Sequence, residues 1–257
     1  MADVEQYLDA GILNITLNRP EKLNALSTDL LMNLDALFLE AKQNSDVRAV
    51  LITGAGKAFC AGADIKRLAE CNAQTGYAFA KNGQRVFRLL ETLGKPSLAA
   101  INGYAFGGGC ELAMAATLRV AATAAKFGQP EVKLGVIPGY GGTQRLARLV
   151  GKGRALDLCL TGRTIDADMA EKWGLVSEVV QPEDLITRSK EILQSILAVA
   201  PQAAASVMDV IDAGYDLSLS DAFELEALHF AKTCATQDKY EGVSAFLEKR
   251  PAVFEGA

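Results

Sequence analysis

The chain has 257 residues, of which 50% are hydrophobic and 22% charged, and its formal net charge is −5. This composition is typical of a folded globular protein and excludes disorder as the main state. The acidic balance disfavours nucleic acid or an anionic membrane as the main partner, but it leaves room for a local basic pocket that binds a phosphorylated ligand.

The residue types that are scarce narrow the possible chemistry. Five cysteines at wide spacings contain no C-x-x-C pair, which suggests neither a disulfide framework nor a thiolate metal site. With His229 as the only histidine, neither a serine hydrolase triad nor a histidine metal site can be assembled. The cysteine and histidine patterns therefore predict no bound metal. The same cysteine usage fits a reducing cytosol, and no signal peptide is recognised at the start, so a cytoplasmic location is expected.

Apolar periodicity predicts strands and helices that alternate along most of the chain. In chain order, the predicted elements are a strand at Ile12–Leu17, a helix at Thr28–Gln43, strands at 49–53 and Ser97–Ile101 separated by a helix at 77–93, a strand at Leu118–Ala122, a loop or short strand at 127–135, a helix at 143–149 and then helices with one strand at 176–180. Strands that alternate with helices and then give way to helices alone predict a single α/β core with a helical C-terminal extension.

The stretch 102–131 is the main candidate for the functional site. Three successive glycines at 107–109 separate an apolar run from a helix-forming run, so a turn there is expected to open a helix and direct unpaired N–H groups outward. Glu111 follows this turn, and Glu131 lies 20 positions later among apolar or small residues. Two isolated carboxyls beside a donor-rich turn favour acid/base work on a substrate whose oxygen becomes negative.

Each of these residues also has a simpler structural interpretation. Glu111 would stabilise the helix dipole, and Glu131 would pair with Lys133. Cys110 is expected to be a small packing residue, because no histidine is available to activate it. Asp64, which precedes a short helical pattern, is expected to be an N-cap.

Two nucleotide-binding motifs are excluded. A phosphate loop would need Ser or Thr after Lys57, where Ala58 stands. The glycines around Tyr140 do not have the G-x-G-x-x-G spacing of a dinucleotide site, which disfavours hydride transfer.

Four motifs in the order of the chain resemble the enoyl-CoA hydratase, or crotonase, family. They are NRPEKLNAL at 18–26, FCAGADIK at 59–66, NGYAFGGGCELA at 102–113 and FGQPEVKLGVIPGYGGTQRL at 127–146. The resemblance implies an α/β fold, a crotonase-like spiral of repeated β-β-α units with a helical C-terminal extension. It divides the chain into a CoA-binding and catalytic core at 1–198 and a helical trimerisation region at 199–257.

The resemblance also implies roles for the candidate site. The backbone N–H groups of Ala63 and Gly108 would form an oxyanion hole for a thioester carbonyl. Glu111 and Glu131 would hold one water, with Glu111 as base toward that water and Glu131 as donor of the proton to Cα. The implied reaction is reversible syn addition of water to a trans-2-enoyl-CoA, giving a 3-hydroxyacyl-CoA, as in fatty-acid β-oxidation.

Substrate contacts follow from the same resemblance. Coenzyme A enters as part of the substrate, with no separate cofactor, and its expected contacts are Lys22, Asn24, Ala25, Leu26, Ala61, Asp64, Ile65 and Lys66. Tyr140, Gly139 and residues 77–87 are expected to border the acyl chain. Family members often carry a lysine beside their last phenylalanine, but Glu255 follows Phe254 here, which leaves Lys249 or Arg250 as candidates.

The usual assembly of the family is a homotrimer or a homohexamer made of two trimers. Two other functions stay open from the sequence. One is another crotonase-type acyl-CoA reaction, either double-bond isomerisation or hydrolysis, and the other is non-catalytic acyl-CoA binding. Retention of both glutamates favours hydration over isomerisation.

Overall fold

The computed structural model describes residues 3–257, in which ten strands and eleven α-helices are found. The strands are β1 (Val4–Asp9), β2 (Ile12–Leu17), β3 (Ala49–Gly54), β4 (Ala58–Cys60), β5 (Ser97–Ile101), β6 (Tyr104–Phe106), β7 (Leu118–Ala122), β8 (Lys126–Gly128), β9 (Thr164–Asp166) and β10 (Glu178–Val180). The helices are α1 (Thr28–Gln43), α2 (Ile65–Ala69), α3 (Ala73–Glu91), α4 (Gly108–Ala115), α5 (Gly142–Val150), α6 (Lys152–Thr161), α7 (Ala167–Trp173), α8 (Leu185–Leu197), α9 (Pro201–Gly214), α10 (Leu219–Cys234) and α11 (Gln237–Glu248).

The strands form two sheets that the chain visits in turn. The larger sheet has the order β1-β2-β3-β5-β7-β10, and the smaller one has the order β4-β6-β8-β9. Three successive segments repeat one pattern: a strand in the larger sheet, a strand in the smaller sheet, and then one or two helices outside the sheets. They are β3-β4-α2-α3, β5-β6-α4 and β7-β8-α5-α6. This is the predicted spiral of β-β-α units, and it makes the strands β4, β6 and β8 parallel neighbours.

The larger sheet is buried on both faces, which explains why its central strands are continuous apolar runs. On one face, Val50 and Ile52 of β3 join the main core with α1 and α3. On the other face, Leu51 packs in a second cluster with Leu185 and Leu193 of α8. Successive residues of a strand point to opposite faces, so a single apolar strand serves both clusters.

Local capping signals set the helix starts. The Ser27 side chain accepts from the backbone N–H of Leu30 and begins α1 where the sequence predicts it. Asn72 and Thr75 form a reciprocal capping box that begins α3 before the predicted residue 77. This box was missed because the first turn of α3 is exposed and carries no apolar stripe.

The C-terminal helices extend from the core, and the predicted division at residue 198 falls between α8 and α9. Ion pairs from Arg88 to Asp212 at 2.9 Å and from Arg148 to Asp216 at 3.1 Å tie α9 and the turn after it to α3 and α5. Within residues 3–257, no single helix is long and apolar enough to cross a membrane; α8 and α9 reach the required length only as a pair bent by 105°.

Two parts of the fold were not predicted. Strand β1 is an edge strand whose residues are mostly exposed, so its sequence has no apolar alternation. The four strands of the smaller sheet have three residues each, which is too short for a period of two to be recognised. The segment 127–135, predicted as a loop or short strand, is the end of β8 followed by a 3-10 helix at Pro130–Leu134.

Candidate active site

The ends of three parallel strands bring the main candidate residues together. Cys60 pairs with Ala105, and Phe106 pairs with Gly128, so β4, β6 and β8 end side by side. Ala63 follows the first of these strands, Gly108 and Glu111 follow the second, and Glu131 follows the third. Residues that are 68 positions apart in the sequence therefore meet at one edge of the smaller sheet.

The two expected oxyanion donors are adjacent. A Cβ placed on Gly108 would lie 3.3 Å from the backbone nitrogen of Ala63. Within residues 3–257, neither backbone N–H donates a hydrogen bond to the protein. Leu26 forms a bridge with Ala63, in which the N–H of Leu26 donates to Gly62 and the N–H of Asp64 donates to Leu26, so the N–H of Ala63 points the other way.

The turn before α4 requires glycine for two reasons. Gly107 has a φ of +50°, which L side chains rarely adopt. A Cβ at this position would also lie 2.5 Å from Oε1 of Glu131. The carboxyl of Glu131 therefore rests directly against the backbone that precedes the Gly108 donor.

Glu111 is held rigidly in the core. Its side chain is 1% exposed, and its Oε1 accepts hydrogen bonds from the backbone N–H groups of Tyr140 at 2.8 Å and Gly142 at 2.6 Å. These donors lie in the turn that opens α5, so a carboxylate on α4 replaces water at the N-terminus of the next helix. Glu111 lies in the first turn of α4, as the helix-dipole interpretation expects, and it also holds the turn before α5.

Both carboxyls have a pKa that is raised toward neutrality. Burial, and secondarily the charge of Glu131, raise the pKa of Glu111 to about 7, while the N–H bonds from Gly142 and Tyr140 oppose this rise. Burial also raises the pKa of Glu131 to about 7. The charge of Glu131 acts on Glu111, so the two carboxyls titrate as a pair near neutral pH.

Gln129 supports Glu131 and was not singled out by the sequence. Its side chain is fully buried. With its amide nitrogen directed at the carboxyl, as the hydrogen-bond network requires, it donates to Oε2 of Glu131 at 3.1 Å and to Oε1 at 3.2 Å. The alternative partner Lys133 forms no ion pair with Glu131 in the described part of the chain, and its side chain packs beside Gly162.

Two arginines fix the elements that carry the site. Arg119 is buried and donates to the carbonyls of Ala116 at 2.6 Å and Leu175 at 2.8 Å, which caps the end of α4. Burial lowers the pKa of Arg119 to about 10. Arg145 donates to the Tyr140 carbonyl at 2.7 Å and pairs with Glu91, so it holds the turn that contacts Glu111.

A cavity of about 910 Å³ opens beside these carboxyls. Its inner lining includes Ala63, Gly108, Glu111, Glu131 and Tyr140, and also the predicted residue Gly139. Its outer wall is apolar and partly exposed, and it is formed by Ile65, Leu68, Leu134, Val136 and Ile137. A polar floor with an apolar entrance suits a long amphipathic ligand whose reacting end is buried.

The predicted CoA contacts of the first motif have mixed environments. Asn24 is fully buried, and its side chain accepts from the Arg19 N–H and donates to Ala55 and Ala58 carbonyls. Asn24 therefore shapes the loop through its side chain. Leu26 is also buried, and its side chain contacts the position that a Cβ on Gly108 would occupy.

The remaining predicted contacts lie nearer the surface. Lys22 is exposed, and Ala25 accepts at its carbonyl from the Arg19 side chain at 2.8 Å. The N–H of Ala61 donates to Leu23, so this N–H is used within the loop.

Around α2, Asp64 is the predicted N-cap, since its Oδ1 accepts from the N–H of Lys66 at 2.9 Å. The Ile65 side chain is exposed at the cavity, and Lys66 is exposed with no ion pair among residues 3–257. At the C-terminus, Arg250 already pairs with Glu241 and Glu248.

Cys110, the cysteine beside Glu111, shows no sign of activation. Cys110 is buried and its pKa is raised, mainly by burial, so it stays a thiol and fits the packing interpretation. Across residues 3–257, no group of three or more His, Cys, Asp or Glu side chains is arranged to hold a metal ion.

Comparison with known proteins agrees with this geometry. Residues 8–257 match the family model for enoyl-CoA hydratase/isomerase. A short-chain-enoyl-CoA hydratase of Clostridium acetobutylicum is 46% identical over 237 residues, covering 92% of this chain and 91% of that protein. A crotonyl-CoA hydratase of Syntrophomonas wolfei is 46% identical over 239 residues, covering 93% of this chain and 92% of that protein.

Solved structures give the same result. The crystal structure of an enoyl-CoA hydratase from Bacillus anthracis superimposes with a TM-score of 0.95, at 38% identity and with 100% of each chain covered. The family match spans almost the whole sequence, and the fold agrees over its full length. The chain therefore belongs to the enoyl-CoA hydratase/isomerase family.

Proposed function

We propose that this protein is an enoyl-CoA hydratase that adds water reversibly to a trans-2-enoyl-CoA and gives the 3-hydroxyacyl-CoA. The observation that carries the proposal is the meeting of the buried carboxyl of Glu111 and the half-buried carboxyl of Glu131, both with a pKa raised to about 7, beside two backbone N–H groups that donate to no group among residues 3–257. The named functions of the relatives in Clostridium acetobutylicum and Syntrophomonas wolfei support it.

The oxyanion donors would carry the electrostatic part of the reaction. The thioester oxygen accepts from the N–H groups of Ala63 and Gly108, and it becomes negative when Cβ is attacked. Removing one such donor from an enzyme typically costs about 2.7–4 kcal/mol of transition-state stabilisation. Because both donors are fixed by backbone geometry, they need no reorganisation when charge develops on the oxygen.

The two glutamates would each transfer one proton as a water molecule is added. Glu111 accepts two N–H bonds, which favour its ionised form, so it is the base that takes a proton from water while the hydroxyl bonds to Cβ. Glu131 gives its proton to Cα, on the same face of the double bond. In the reverse direction, the same groups exchange roles and release water.

The rival functions make different use of the site. An isomerase moves a proton between two carbons and needs one carboxyl near them, whereas addition of water is served by a base and an acid together. A protein that only bound acyl-CoA would need Glu111 to hold the turn before α5, but it would not need a second carboxyl, Glu131, beside the expected oxyanion hole. The two-carboxyl arrangement therefore favours hydration.

The test is steady-state turnover of crotonyl-CoA, followed by loss of the enoyl thioester absorbance and by chromatography of the product. Formation of 3-hydroxybutyryl-CoA supports the proposal. Binding of crotonyl-CoA without any turnover would favour a non-catalytic role, and conversion of a 3-enoyl-CoA to a 2-enoyl-CoA without hydration would favour isomerisation.

Coenzyme A would enter as part of the substrate, without a separate cofactor, and the reaction would take place in the cytoplasm as a step of β-oxidation. The exposed side chains of Lys22 and Lys66 are proposed to contact the CoA phosphates. Replacing both lysines with glutamate should raise KM for crotonyl-CoA while leaving kcat nearly unchanged, and an unaltered KM would count against these contacts.

The C-terminal helices are proposed to assemble the protein as a trimer or a dimer of trimers. Large apolar side chains on α10 and α11 are exposed in the single chain: Phe223, Leu228, Phe230, Phe246 and Leu247. Exposed apolar area on this scale is typical of an interface. Light scattering should give three or six times the mass of the chain, and a monomer of 27.3 kDa would refute the assembly.

A further inference from the structure

The aromatic ring of Tyr140 lies between the expected oxyanion hole and helix α3. One edge of the ring, at Cδ1 and Cε1, lies 2.2 and 2.4 Å from the position that a Cβ on Gly83 would occupy. The opposite edge, at Cδ2, lies 3.3 Å from the corresponding position on Gly108. The ring is 1% exposed and therefore fills the space between these two glycines.

The surroundings of the ring are apolar and rigid. Phe79 packs on it with ring centroids 5.2 Å apart, and Phe87 packs edge-on at 5.6 Å. The glycine at position 83 is the only residue type that leaves room for the ring, because even a methyl group would overlap it. The ring of Tyr140 therefore packs into the space that Gly83 leaves on α3, and its neighbours restrict a change of rotamer.

The position of the ring bears on how far an acyl chain can reach. If the thioester oxygen lies at Ala63 and Gly108, Cα and Cβ face Glu111 and Glu131, and the rest of the chain continues into the same cavity. Tyr140 lines that cavity and contacts the Gly108 side of it, while its backbone N–H holds Glu111. The outer, exposed part of the cavity is then left for the pantetheine arm.

We propose that the Tyr140 ring, seated against Gly83, is the wall that ends the acyl pocket and selects short acyl chains. This inference rests on the proposed function, and it goes further by naming the residue that sets the substrate range. It assigns the selection to the volume of the ring and not to its hydroxyl.

The hydroxyl supports that distinction. Oη of Tyr140 is buried and has no hydrogen-bond partner among residues 3–257, which costs free energy that a phenylalanine would avoid. Burial also raises the pKa of this phenol, so it stays protonated. Because Oη has no partner among the described residues, we assign the contribution of Tyr140 to the volume of its ring.

The experiment compares kcat/KM for C4 and C10 trans-2-enoyl-CoA in the wild-type protein and in Tyr140→Phe, Tyr140→Leu and Tyr140→Ala. The C10/C4 ratio is taken on one sample, so any unfolded fraction cancels. Each methylene that becomes buried contributes about fourfold. The ratio should rise at least about tenfold in Tyr140→Ala and by less in Tyr140→Leu, and it should stay within about twofold in Tyr140→Phe.

The outcomes separate the two proposals. No hydration of C4 by the wild-type protein would refute the proposed function. Hydration of C4 with an unchanged C10/C4 ratio in both Tyr140→Leu and Tyr140→Ala would refute only the proposal that the Tyr140 ring ends the acyl pocket. A ratio that shifts in Tyr140→Phe as much as in Tyr140→Ala would also overturn it, because the hydroxyl would then be the selecting group.

Gly83→Ala independently tests whether Gly83 positions the ring of Tyr140. In the wild-type background its methyl overlaps the ring, so kcat/KM for C4 should fall at least about tenfold as the ring is pushed toward Gly108. In the Tyr140→Ala background the overlap is gone, and the same substitution should change kcat/KM less than about twofold. Equal losses in both backgrounds would mean that Gly83 does not position Tyr140.

Discussion

Gly142→Ala tests whether backbone N–H groups keep Glu111 ionised. The φ of Gly142 lies outside the range that strains an L residue, so alanine is compatible with the backbone. Its Cβ, however, would lie 2.9 Å from three atoms: Oε1 of Glu111, Cβ of Pro138 and the side-chain amide of Gln129. All three contacts are too short for a real Cβ, so the backbone at position 142 must shift away from Glu111, and we expect the N–H bond to Glu111 to lengthen.

The size of the effect follows from that hydrogen bond. A bond to a charged group contributes about 1.5–3 kcal/mol, and 1.36 kcal/mol corresponds to one pKa unit, so loss of the bond should raise the pKa of Glu111 by about 1 to 2. The bond favours the ionised base, so its loss leaves less carboxylate at pH 7. From a pKa of about 7, kcat/KM for crotonyl-CoA at pH 7 should fall about fivefold to fiftyfold.

The assay is the pH profile of kcat/KM for crotonyl-CoA. The acidic limb should move to higher pH in Gly142→Ala, so that part of the lost activity returns as the pH rises. Gly153→Ala is the control, because a Cβ at that position in α6 meets no atom within 4 Å. An acidic limb that stays in place, or moves to lower pH, would refute the reasoning.

Two further predictions concern the groups that support the site. Gln129→Leu removes the amide that stabilises the ionised form of Glu131, so its pKa should rise and the basic limb of the profile should move to higher pH; an unmoved basic limb would mean that the amide does not donate to this carboxyl. Arg119→Met leaves the carbonyls of Ala116 and Leu175 without their donor and should lower the free energy of unfolding in urea by about 2–5 kcal/mol, whereas a loss below about 1 kcal/mol would contradict the capping role.

The central elements of the fold could be predicted because their apolar residues recur with one period. Strands β2, β5 and β7 and helix α1 have the predicted bounds, since each is buried on at least one side along its whole length. Strand β10 is shorter than the predicted 176–180, because Val176 belongs to the turn that Arg119 binds. The smaller sheet was missed because three-residue strands carry no recognisable period.

The candidate site also has residues that the sequence predicts and residues that it does not. The glycine turn and the isolated glutamates could be recognised as unusual from the sequence alone. Their supports could not, because Gly83 and Arg119 act on residues that are distant in sequence, and because the pattern around Gln129 does not show that its side chain is buried against Glu131. Gly83 has no apparent purpose until the ring of Tyr140 is placed against it. A buried arginine likewise resembles a surface arginine until the carbonyls around it are known.

The central claim is that Glu111 and Glu131 act as one acid/base pair, and the most direct test is kcat for crotonyl-CoA in Glu111→Gln, Glu131→Gln and the double variant, with the dissociation constant of the substrate measured for each. Each single variant should lose about 10²–10⁴-fold in kcat with binding nearly unchanged. Groups that act as a unit are not additive, so the double variant should be little worse than the poorer single one. A double variant that hydrates crotonyl-CoA at close to the wild-type rate would contradict the mechanism.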